Sequence, residues 1–181
     1  MATALRQRLP GLPGLPVKKL HKLLYYCQAH HVATFGRALF SDTISAWDMG
    51  PVVGGLWHSE KNEGITEGIA ALDESQLNTI GYVVSRYGAL TGLDLEHLTH
   101  GEMPWLRANE GRPAGGRASI EPTWIEEYFA SPTVRELEDE RGSLGQDEVE
   151  GWLKPADRRR ATLKEDTREE IMARLAGRAG T

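Results

Sequence analysis

Between Val17 and Phe35 the non-polar positions recur every three or four residues. Val17, Leu20, Leu24, Cys27, His31 and Thr34 share one stripe, and Leu23 and Ala33 widen it. That spacing matches the α-helical period and predicts a helix over 17–35 with one face on a core. Gly36 follows where helices commonly end in a left-handed residue. A second stripe, Leu77, Ile80, Val83, Val84 and Tyr87, begins behind Asp73 and stops at Gly88. Gln76 stands three residues after Asp73, the arrangement of a capping box. Thr91 then caps a shorter helix in which Leu93, Leu95 and Leu98 turn inward. Pro104-Trp105-Leu106-Arg107 begins a further helical turn, and Glu121-Pro122 opens a helix with Trp124, Ile125, Tyr128 and Phe129 on one side.

The period changes between 38 and 47. Ser41-Asp42 separates two short apolar runs, and Thr43, Ile44 and Trp47 favour extended backbone. Two very short strands, or one strand after a turn, are expected. Proline is tolerated in the first turn of a helix, so Pro51 is expected to open one through VVGGLWHSEK. Gly54 and Gly55 weaken that helix and permit a close backbone approach. Residues 61–72 and 109–119 read as loops.

The two ends differ from the middle. Residues 1–16, with LPGLPGLP, are poor in helix formers and read as a Pro/Gly-rich arm. After Pro132 acidic and basic residues crowd together and large apolar residues are sparse, the exceptions being Trp152-Leu153 and Ile171, Met172 and Leu175. Such a segment orders on a partner more readily than alone. The expected architecture is mainly α: a compact helical domain at 17–131 with a small β element at 38–47, an arm at 1–16, and a polar, partly helical tail at 132–181.

Composition narrows the function. The chain has 181 residues, 40% of them hydrophobic, and a net charge of −5. Net acidity argues against a broad nucleic-acid surface, which needs clustered Lys and Arg. Cys27 is the single cysteine, so no internal disulfide forms and a reducing cytoplasm is the expected compartment. No apolar run reaches the roughly 20 residues of a membrane span, and the N-terminus lacks a signal-peptide core.

Candidate chemistry is thin. His30-His31 are adjacent, and His97 and His100 are three apart, a spacing that can share a helix face for metal. The supporting carboxylate and thiolate spacings are missing. Cys27 lies on an apolar stripe and reads as core rather than as a nucleophile. No Gly-x-Ser-x-Gly elbow occurs, and GRPAGGRAS lacks the Lys-Ser/Thr ending of a phosphate loop. No catalytic residue, metal site or cofactor is expected. Tryptophans stand at 47, 57, 105, 124 and 152, and Trp is a residue type that anchors protein interfaces. Met49 suits an adaptable contact. Leu24, Tyr25 and Trp57 are expected in the core.

These motifs occur in an order that resembles the Panacea, or SocA-like, antitoxin family. The succession is Lys19-Leu20-His21-Lys22-Leu23-Leu24-Tyr25-Tyr26, Gly36, Leu39-Phe40, Ile44-Ser45-Ala46-Trp47 and Gly50-Pro51-Val52, then Leu98-Thr99-His100, Pro104-Trp105 and Glu127-Tyr128-Phe129. The resemblance covers about residues 16–130. It departs in two places: the helix that usually precedes the Lys-Leu motif is replaced by the arm, and Met49 stands where an aromatic residue is common. The resemblance implies a mostly helical antitoxin of a type II toxin–antitoxin system, often a phage defence. Its partner would be a cognate protein toxin from an adjacent gene, neutralised by direct binding. Alarmone-synthetase-like translation inhibitors are among the family's toxins, and one branch delivers its toxin to a protease. Candidate toxin contacts are Trp47, Asp48, Met49, Gly50, Pro51, His58, Trp105 and Trp152. A homo-oligomer or a heterotetramer with the toxin is compatible with this reading. A histidine-dependent enzyme and transcriptional autoregulation remain as minor alternatives.

Overall fold

The computed structural model describes residue 2 and residues 17–62 and 71–135. The expectations for the arm, for Trp152 and for the tail beyond residue 135 lie outside the described residues. In chain order the elements are α1 (Val17–Phe35), β1 (Ile44–Trp47), β2 (Gly50–Val53), α2 (Gly54–Asn62), α3 (Glu74–Tyr87), α4 (Gly92–His100), α5 (Met103–Asn109), β3 (Ala118–Ser119) and α6 (Pro122–Phe129). The fold is mostly helical with one small antiparallel sheet of strand order β2-β1-β3.

The local signals act as their chemistry predicts. Asp73 accepts from the Gln76 N–H at 2.9 Å while the Gln76 side chain accepts from the Asp73 N–H at 3.0 Å, which satisfies two otherwise orphaned donors at the start of α3. Thr91 and Asp94 form the same reciprocal pair on α4. Gly36 has φ of 63° and closes α1. Pro104 and Pro122 fall in the first turns of α5 and α6, where a missing N–H is harmless.

The spine helix differs from the expected amphipathic one. From Val17 through Ala29 every residue of α1 is buried, because α3, α4, α6 and β2 pack around it. Polar residues between the apolar ones therefore need partners inside the fold. Lys18 forms an ion pair with Glu96 of α4. Lys19 donates to the Gly88 carbonyl at 2.9 Å, a cation set against the C-terminal end of α3. Lys22 donates to the Pro51 carbonyl at 3.3 Å. Gln28 accepts from the amides of Leu39 and Phe40 and so holds the chain that returns from α1.

The junction after Trp47 corrects the expected helix start. Pro51 is not the first residue of a helix but the second of β2, opposite Ala46 in a hairpin that also pairs Trp47 with Gly50 and Ile44 with Val53. Proline fits here because β2 is the edge of the sheet and Pro51 has no outward N–H to satisfy. The outward groups that remain are met by α1: His21 Nδ1 accepts from the Val53 amide at 3.1 Å, and Lys22 holds the Pro51 carbonyl. A side-chain-covered edge also resists pairing with another strand. The helix starts three residues late, at Gly54. A Cβ on Gly55 would overlap Asp42 Oδ1, so the glycine pair does serve a close approach. The region 38–43 forms no strand, and the loop expected at 109–119 contains β3, paired through Ala118 with Ala46.

Gly50 has φ of 94°, and a Cβ there would lie 2.7 Å from Lys22 Cε and 3.0 Å from Thr99 Oγ1. Gly50→Ala combines left-handed strain with displacement of the buried lysine. The expected loss is about 1–3 kcal/mol, read as a lower urea midpoint at unchanged slope. An unchanged midpoint would show that the hairpin tolerates a side chain here.

Candidate partner-binding site

The β1–β2 hairpin packs on α1 and on the first turns of α2, and a shallow slot opens between them. Trp47, Met49, Val52 and Trp57 line its walls, with His21 and Lys22 beneath. The rings of Trp47 and Trp57 lie 5.1 Å apart at 54°. The slot has a volume of about 20 Å³, close to the space of one water and far below the several hundred Å³ of a small-molecule site. Its lining is apolar. Such a slot suits the tip of a partner side chain rather than a substrate.

The expected contact residues divide by burial. Trp47, Asp48 and Met49 are half-buried and His58 is exposed, so these four reach the surface. Asp48 is held from the other side: Arg112 pairs with its carboxylate at 2.7 Å and the Gly115 amide donates to it at 3.0 Å. Gly50 and Pro51 are buried, as is Trp105. The Trp105 indole donates to the Trp47 carbonyl at 3.3 Å and stacks on His100 at 4.0 Å. Trp105 thus braces Trp47 from behind. Leu24 and Tyr25 are core, but Trp57 is only half-buried and forms a wall of the slot. No periodicity marks Trp57 as part of this surface, because its place depends on where the hairpin turns α2.

Beneath the slot lies a charged cluster that the sequence pattern did not single out. Lys18, Lys22 and Glu96 are all buried. Burial lowers the Lys22 ammonium from the ordinary 10.5 to about 7, with Glu96 opposing the shift and Lys18 adding to it. Burial by itself would raise the Glu96 carboxyl, yet Lys18, Lys22 and His100 together bring it below its ordinary value. Burial also lowers His100, to about 4, against the pull of Glu96.

A second buried network ties α1 to α5. Tyr25 and Tyr26 each donate to one oxygen of Glu102, at 2.8 and 2.7 Å. Burial, then the Glu102 charge, holds both phenols well above their usual value. Tyr26 stacks on Tyr87 at 4.0 Å, and Tyr87 meets His30 Nε2 at 3.0 Å.

His31 and the cysteine are held within the fold. His31 Nδ1 lies 2.8 Å from the Thr79 hydroxyl. Burial pushes the Cys27 thiol far above its ordinary value, which leaves it unreactive. Among the described residues no three His, Cys, Asp or Glu side chains are grouped so as to hold a metal ion. None of the described helices is long and apolar enough to cross a membrane.

Residues 20–106 match the family described as antitoxin SocA-like, Panacea domain. The matched span runs from α1 into α5 and contains the hairpin, Lys22 and Glu96 of the charged cluster, and most of the slot. No curated protein and no solved structure matches the chain.

Proposed function

From the premise that residues 20–106 form a domain of the SocA-like Panacea antitoxin family, we propose that this chain is the antitoxin of a type II toxin–antitoxin pair and neutralises a protein toxin by direct binding. The family match carries the reading. The toxin is encoded by the adjacent gene and meets the antitoxin in the cytoplasm, and phage infection is the setting in which the pair would act. The slot between Trp47, Met49 and Trp57 supplies a contact with the right chemistry: an apolar recess with a tryptophan on either side, of the kind that seats a partner's anchor residue. Trp47, Met49 and His58 touch the toxin, while Asp48, Gly50, Pro51 and Trp105 hold them in position.

Co-expression tests the reading. The neighbouring gene alone should arrest growth, and this chain should restore it. A harmless neighbour, or arrest that persists with both proteins present, overturns the proposal. Met49→Asp places a charge in the slot without removing a core residue. It should leave the melting temperature within a degree or two of wild type and weaken toxin affinity tenfold or more, the effect of burying an unpaired carboxylate at an interface. Normal affinity would move the contact elsewhere on the domain. Toxin half-life separates neutralisation from delivery to a protease: a stable, bound toxin supports the first, and rapid loss of toxin the second.

A further inference from the structure

On the side of the domain away from the hairpin, the end of α1 and the middle of α3 leave a groove with a volume of about 500 Å³. Its lining includes His30, Phe35, Tyr82, Phe129 and Arg135. Phe35 and Tyr82 are 43% and 41% exposed, two of the most exposed large hydrophobic residues among those described. His30 meets Tyr82 edge-on at 4.9 Å and Phe129 at 5.2 Å. The result is a trough with aromatic side chains along its walls.

Arg135, the last described residue before the tail, stands in that trough. Its guanidinium donates to the Ala33 carbonyl at 2.6 Å, and its amide donates to the Ser131 carbonyl at 3.1 Å. The chain therefore leaves the domain from the groove itself. The sequence beyond carries Asp147, Glu148 and Glu150 directly ahead of Trp152-Leu153. An acidic stretch ending in a large aromatic residue complements a trough with aromatic walls and an arginine at its rim.

We propose that residues 147–153 of the same chain occupy this groove, with Trp152 between Phe35 and Tyr82 and the acidic side chains toward Arg135. Reach is no obstacle: the link from Arg135 to Trp152, at about 3.3 Å per residue, exceeds the diameter of a domain of this size. Tethering favours this occupant over a free partner. Attachment to the same chain holds the segment at an effective concentration of order millimolar, so a contact too weak to form between molecules is filled within one. The groove proposal does not depend on the toxin-binding reading, since it concerns a different face.

Cysteine pairing in the full-length chain tests it. Asn78 lines the groove and is exposed, and Cys27 is buried and will not interfere. Asn78→Cys with Glu150→Cys should form an intramolecular disulfide under mild oxidation at least tenfold faster than Asn78→Cys with Ala179→Cys. Adding Trp152→Ala to the first pair should remove that excess. Equal rates for the two pairs overturn the proposal, as does an excess that survives Trp152→Ala. A disulfide-linked dimer as the main product also overturns it, because the occupant would then be a second copy.

Discussion

Glu102→Ala is expected to destabilise the domain by about 3–5 kcal/mol, since each of two buried hydroxyls left without an acceptor costs about 1–3 kcal/mol. Both oxygens of Glu102 are engaged, by Tyr25 and by Tyr26, and neither phenol has another route to water, being 0% and 1% exposed. The residue also sits at the N-cap of α5 without a capping bond from its side chain. Glu102→Gln keeps an amide oxygen for one phenol and should lose less, about 1–2 kcal/mol. Urea unfolding followed by tryptophan fluorescence gives both values. The triple change Tyr25→Phe, Tyr26→Phe, Glu102→Leu removes both donors and their acceptor together and should recover much of the stability lost in Glu102→Ala. If Glu102→Ala unfolds at the wild-type midpoint, the network contributes nothing to folding.

The second large effect is a pH dependence centred on Lys22. Folding lowers this amine from 10.5 to about 7. Between those values the unfolded chain carries a proton that the folded chain has released, so stability rises with pH across that window. Below pH 7 both states are protonated and the cost of burying the ammonium is felt in full. Each pH unit in the window is worth up to about 1.4 kcal/mol, and the whole span amounts to something on the order of 4 kcal/mol. Lys22→Met removes the titration together with the bond to the Pro51 carbonyl, a bond worth about 1 kcal/mol. The variant should therefore be more stable than wild type by several kcal/mol at pH 6, an excess that shrinks to about 1 kcal/mol by pH 9. Groups remote from Lys22 cancel in the difference, and Glu96 and His100, which Lys22 does influence, have folded-state values lowered to below this window. Stability curves that run parallel from pH 6 to pH 9 would mean that Lys22 keeps its proton in the folded chain.

How much of this was legible depends on the range of the interaction. Asp73 with Gln76, Thr91 with Asp94, and Gly36 after Phe35 are local arrangements, settled within one turn of backbone, and each stands where its neighbours predict. Pro51 was misread because its local chemistry suits both a helix start and an edge strand. Register with Ala46, and the donors and acceptors that α1 offers the edge, decide between them. The two residues of β3 are too short to carry a pattern and exist because β1 has a free edge. The candidate site divides in the same way. Trp47 and Met49 stand out as an aromatic and a flexible apolar group beside a turn. Trp57 joins them only when the hairpin sets the path of α2, and the Asp48 carboxylate meets Arg112 only when a loop far along the chain returns to the hairpin.

Periodicity and short-range spacing specify most of the helices, the caps of α3 and α4, the helical class of the domain and the order of motifs that marks the family. All of these depend on side-chain periodicity or on residues a few positions apart. Packing of distant elements encloses α1 from Val17 to Ala29 and so buries its lysines. Lys18 meets Glu96, Lys19 meets Gly88 and Tyr25 meets Glu102 across separations of about seventy residues or more. No short-range pattern encodes such meetings. A charge enters the interior only where a partner is already in place, and the partner's position is a property of the packed fold.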